Sequence, residues 1–121
     1  MKYKMTIPEQ RESDNHYQDI RHAFNLLAVH LGFTTDETTA MQNAEHWQES
    51  SGYHSDEDWG EDTWYLRFKA DNVTVTFSSY WCAMGGEGDD LIIVFNDRKQ
   101  ILKLHNYLKE NGFATCTYPC K

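Results

Sequence analysis

Two alternating runs on either side of Asp71-Asn72 constrain this chain more than any other feature. From Thr63, the apolar Trp64, Leu66, Phe68 and Ala70 alternate with Tyr65, Arg67 and Lys69. After the dipeptide, Val73, Val75 and Phe77 alternate with Thr74, Thr76 and Ser78. Successive side chains of a strand point to opposite faces, so each run is a strand with one apolar face. Asp and Asn tolerate positive φ, which a two-residue turn between right-twisting strands needs. The pattern predicts a β-hairpin whose second strand can run to Trp81.

The rest of the chain supplies partners for that hairpin. Leu91-Ile92-Ile93-Val94-Phe95 is apolar on both faces and predicts a central strand. Tyr3, Met5 and Ile7 alternate with Lys2, Lys4 and Thr6 in a short strand ended by Pro8, and Phe113 to Tyr118 forms a last strand before Pro119. Between Ser13 and Leu31, residues Tyr17, Ile20, Phe24, Leu27, Ala28 and Leu31 share one helical face. Ser13 or Asp14 would cap that helix, and Gly32 suits the left-handed position after it. A second helix is predicted from Thr34, where Thr34 and Glu37 have capping-box spacing. It places Ala40, Met41, Ala44 and Trp47 on one face and ends near Ser50-Ser51-Gly52. Asn96 caps a third helix through about Asn111, with Ile101, Leu104 and Leu108 inward and Gly112 as its stop. Tyr53 to Asp62 and Cys82 to Asp90 read as loops. The expected order is β-α-α-β-β-β-α-β. It describes an α+β protein, a mostly antiparallel sheet of about four to five strands packed on three helices.

At 121 residues the chain is expected to form a single acidic domain, 1–121. Leu, Ile, Val and Phe total only 23 residues, and four Trp and seven Tyr make up the apolar deficit. No stretch approaches the ~18 apolar residues of a membrane span, and no signal-like segment follows Met1, so a cytoplasmic protein is expected. Three Cys, an odd number, give no disulfide framework. A net charge of −8 argues against direct binding to nucleic acid or to an anionic membrane, and points to basic partners.

That charge is segregated. No Lys or Arg lies between Arg21 and Arg67, where nine Asp or Glu occur. Residues 34–90 hold 13 acids and two bases, a net of −11, while the remainder nets +3. The densest run is Asp56-Glu57-Asp58-Trp59-Gly60-Glu61-Asp62, and Glu87-Gly88-Asp89-Asp90 repeats it beyond the hairpin. Five carboxylates in seven residues repel one another, a cost that a purely solubilising charge would avoid by dispersal. The acids also lie among Trp47, Tyr53, Trp59, Trp64 and Tyr65. Aromatic residues anchor interfaces, and acidic rims speed encounter with a basic partner. In a cleft built for nucleic acid, carboxylates stand in for phosphates and rings for bases.

In size, acidity and aromatic content the chain resembles anti-restriction and anti-CRISPR proteins of mobile elements and immunity proteins that neutralise nuclease toxins; it carries no motif of such a family. The expected function is that of a non-catalytic inhibitor of a basic nucleic-acid-handling protein (a nuclease, CRISPR effector or toxin). Its partner-binding residues would be Asp56, Glu57, Asp58, Trp59, Glu61, Asp62, Glu87, Asp89 and Asp90. An alternative is a small-molecule or peptide binding module using the aromatic face of the hairpin, with Trp64 and Phe68 as its test positions. A third reading, a Cys- or metal-dependent enzyme, has less behind it. Counting from Asp56, the sixth and twelfth positions of a calcium loop hold Glu61 and Arg67 instead of Gly and Glu. His16, His22 and His30 are not spaced to meet on one helical face. His46 is expected in solvent and His105 at a packed edge. Cys82, Cys116 and Cys120 lack paired zinc-ligand spacing, and no nucleophile-elbow, phosphate-loop or dinucleotide motif is present. No metal or cofactor is therefore expected. Leu26 and Val29 lie off the main stripe of the first helix, which implies burial on two sides or a homodimer contact.

Overall fold

The computed structural model describes residues 2–8, 20–51, 61–82, 87–113 and 115–120. Their elements run β1 (Lys2–Pro8), α1 (Ile20–His30), α2 (Glu37–Asn43), β2 (Glu45–Ser51), β3 (Glu61–Ala70), β4 (Val73–Cys82), β5 (Glu87–Phe95), α3 (Lys99–Glu110) and β6 (Cys116–Cys120). The six strands form one sheet in the order β2-β3-β4-β5-β1-β6, and every neighbouring pair is antiparallel. The protein is α+β, and the eight expected elements follow one another in the expected order.

The hairpin forms as its alternation requires. Asp71 and Asn72 have φ of 52° and 61°, the two positive values of the tight turn that right-twisting strands favour. Leu91, Ile93 and Phe95 of β5 are buried beside Met5 and Ile7 of β1 and Val73, Val75 and Phe77 of β4. Helix α1 lies over that face with Ile20, Ala23, Phe24, Leu27 and Ala28 buried. The Phe24 ring meets Phe68 edge-on at 5.2 Å and Phe77 at 6.3 Å, and Phe33, just past the helix, stacks on Phe68 at 4.9 Å. Gly32, at φ 80°, carries the chain out of α1, while the amides of Phe33 and Thr34 donate back to the Ala28 carbonyl. Ser13, Asp14, His16 and Tyr17 of the expected first helix lie outside the described residues. Leu26 is half-buried and its carbonyl accepts from the Tyr107 hydroxyl of α3 at 3.2 Å, so α3 covers that flank; Val29 is exposed.

The structure corrects several local expectations. The last strand, expected from Phe113 to Tyr118 before Pro119, is Cys116–Cys120 with Pro119 inside it. The second helix stops at Asn43. Ala44 adopts extended φ −71° and ψ 153°, and residues 45–51 form the additional edge strand β2 against β3. The cap of α2 is Asp36, whose carboxylate accepts from Thr38 N at 2.9 Å, and Thr34 supports it by donating to the Asp36 carbonyl. At the start of α3 the carboxylate that accepts a first-turn amide, Lys99 N at 2.9 Å, belongs to Asp97 and not to Asn96.

Candidate functional site

Of the nine acidic and aromatic residues expected to bind a partner, Asp56, Glu57, Asp58 and Trp59 lie outside the described residues. The others are not in loops. Glu61 and Asp62 open β3, and Glu87, Asp89 and Asp90 lie in β5, because both strands extend beyond the apolar runs that predicted them. The register brings several of these positions together. Asp62 is opposite Trp81, which is opposite Glu87; Trp64 is opposite Ser79, which is opposite Asp89.

Alternation from the buried Phe68, Phe77 and Leu91 puts Asp62, Trp64, Trp81 and Asp89 on the same face of the sheet as the helices. At this end the helices no longer cover it: Trp64 is 57% and Trp81 44% exposed. Trp64 and Trp81 are diagonal cross-strand neighbours, roughly 7–8 Å apart at the backbone, within reach of large rings. Asp62 and Asp89 flank them, half-buried and engaged by neighbouring groups. Asp90 projects from the opposite face, in the row of Ser78 and Tyr65. Trp81 was legible as a site residue by continuing the period-two count from Phe77 through Ser79.

The opposite face carries a second aromatic group. Trp47 of β2 stacks on its cross-strand partner Tyr65 at 4.8 Å with rings 8° from parallel. The Arg67 guanidinium lies 5.0 Å from the centre of the Trp47 ring and donates to both carboxylate oxygens of its partner Glu45, at 3.2 and 2.6 Å. Hydrogen bonding to Arg67 holds the Glu45 carboxyl below its usual range. The Tyr65 hydroxyl donates to Glu49 at 3.3 Å, and its acidity is weakened first by burial and then by the Glu49 charge. The described members of the aromatic set read from the sequence are thus divided: Trp64 lies on the helix side, Trp47 and Tyr65 on the other, and Tyr53 and Trp59 lie outside the described residues.

Beside Trp64 a cleft of about 380 Å³ is lined by Arg21 of α1, Met41 of α2, His46, Leu66 and Phe77. His105 pairs through Nδ1 with Thr115 Oγ1 at 2.8 Å, the packed edge position expected of it. Among the described residues no three His, Cys, Asp or Glu side chains converge as metal ligands, and no helix is long and apolar enough to cross a membrane.

The segregated charge also has a spatial counterpart. The described part of residues 34–90 forms α2, β2, β3, β4 and the start of β5, one continuous side of the sheet. It carries ten acids against Arg67 and Lys69. The less acidic remainder supplies α1, β1, α3 and β6. Compared with known proteins, the chain matches no family model, no curated protein sequence and no solved structure.

Proposed function

We propose that this protein is a non-catalytic inhibitor that occupies the nucleic-acid-binding cleft of a basic protein, in the manner of anti-CRISPR, anti-restriction or nuclease-immunity proteins. The observation that carries the reading is the union of charge and shape on one side of the sheet. The described part of the acidic segment is contiguous in space, and its helix-side end exposes Trp64 and Trp81 between Asp62 and Asp89. Carboxylates on this side pair with Lys and Arg of the target. The two indoles supply the desolvated anchor that turns an encounter into a stable complex. Blocking is steric: a folded domain fills a cleft shaped for a polyanion. Asp56, Glu57, Asp58, Trp59 and Glu61 belong to the same acidic segment and enter the proposed interface by sequence proximity.

The test is an affinity capture from bacterial lysate at low and at high salt. Wild type is compared with two variants, one carrying Asn or Gln at Asp56, Glu57, Asp58, Glu61 and Asp62, the other Trp81→Ala. A nuclease, polymerase or CRISPR component should be held by wild type at low salt and released by both variants. Its affinity should fall on the order of tenfold as salt rises to ~0.5 M, because exposed charges are screened beyond a few ångströms there. A partner held equally by the variant lacking those five carboxylates, or an affinity indifferent to salt, refutes the reading.

A further inference from the structure

Arg21 is an exposed cation on α1. In a chain with 19 acids and 11 Lys or Arg, it has neither an ion pair nor a hydrogen-bond partner among the described residues. With no counterion among the described residues, it makes no stabilising ion pair there. Its location offers another role. Arg21 lines the cleft of about 380 Å³ whose other walls are mainly apolar: the exposed Trp64 ring, Met41, Leu66 and Phe77, with His46 and Ser79 at the polar positions. Volumes from ~300 Å³ are those of small-molecule sites, in which apolar walls hold the body of a ligand and a few polar groups fix its head.

We infer that this cleft binds a small aromatic carboxylate, its ring against Trp64 and the apolar floor and its anionic head on the Arg21 guanidinium. The chemistry selects each part of that ligand. A flat exposed indole beside Leu66, Met41 and Phe77 favours a planar apolar body. A guanidinium with no partner among the described residues presents a fork of N–H donors that matches two carboxylate oxygens. No acidic side chain lines the cleft among the described residues, so no carboxylate of its lining opposes an anion at contact range. The site meets the partner surface proposed above at Trp64, whereas Trp81, Asp62 and Asp89 do not line the cleft.

The probe is 2-naphthoate, with neutral 2-naphthamide as its isostere, titrated at pH 7 and followed by calorimetry and by the indole N–H resonances in ¹H–¹⁵N spectra. Naphthoate should bind saturably with Kd near or below ~1 mM, the affinity suited to a ligand of this size. It should displace the Trp64 signal and bind roughly tenfold tighter than the amide, the margin of one charge-assisted contact. Arg21→Gln should erase that preference while leaving amide binding in place, and Trp64→Ala should weaken both ligands. Trp81→Ala should change neither. Each substitution is at an exposed position, and thermal melting verifies that the variants fold. Equal binding of naphthoate and naphthamide, an undiminished preference in Arg21→Gln, sensitivity to Trp81 rather than Trp64, or no saturation up to about 10 mM overturns the inference. Because the probe carries no basic group, failure here leaves the inhibitor reading untouched, and loss of the basic partner leaves this one standing.

Discussion

Arg67 joins two neighbours on the open face of the sheet: its guanidinium lies over Trp47 and bonds both oxygens of Glu45. Arg67→Met should return the Glu45 carboxyl toward its ordinary 4.5, read by ¹³C-detected NMR titration. The sign of the linked stability follows. Because the folded-state pKa of Glu45 is lowered, its pairing stabilises the fold above the unfolded pKa and is lost as pH falls through the folded value. The stability difference between wild type and Glu45→Gln should therefore shrink in acid. Tyr65 behaves in the opposite sense. Burial and Glu49 raise its pKa above 10.0, so its neutral form favours folding at lower pH, and that contribution is lost as pH climbs through the raised value. Glu49→Gln should bring the phenol partway back, seen in its ultraviolet titration. In the core, Phe24 is 1% exposed and meets two Phe rings edge-on, so Phe24→Ala should cost about 3–5 kcal/mol in urea unfolding.

Elements differ in how much of themselves they write into local sequence. The hairpin from Thr63 to Trp81 was legible because apolar alternation, β-branched residues and a turn dipeptide all agreed. Its turn makes a sharp test: Asn72→Val puts a β-branched residue at φ 61° and should cost about 1–2 kcal/mol, measured by chemical denaturation. Strand β2 was not legible. Ala40, Met41, Ala44 and Trp47 fall at helical spacing, and Glu45-His46-Trp47-Gln48-Glu49 offers no apolar alternation, since an edge strand here is polar on both faces. What holds it lies across the sheet, in Arg67 and Tyr65, more than 15 residues away. The polar ends of β3 and β5 were hidden for a related reason: cross-strand pairing carries them beyond the residues that bury apolar surface. Helix caps resolved to within a residue or two, with Asp36 and Asp97 serving where Thr34 and Asn96 were expected. Asp97→Ala should destabilise the protein by ~1 kcal/mol through the lost bond to Lys99 N.

At the scale of the molecule, the linear charge pattern became a polarity because β2, β3, β4 and β5 are consecutive both in sequence and in the sheet. That half of the candidate surface could be read in advance. The placement of Trp81 with Asp62 and Asp89, and the division of the aromatic residues between two faces, depend on register and could not. The other side of the sheet is assembled differently. Strand β1 pairs with β5 on one edge and with β6 on the other, and Met5 and Ile7 are fully buried there. Met5→Ala should therefore cost ~2–5 kcal/mol, a core loss even though residue 5 is near the start of the sequence. During synthesis the first of these six strands to be made is among the last to be satisfied. The meander can close as it leaves the ribosome, while β1 waits for residue 95 to gain one neighbour and for residue 120 to gain the other.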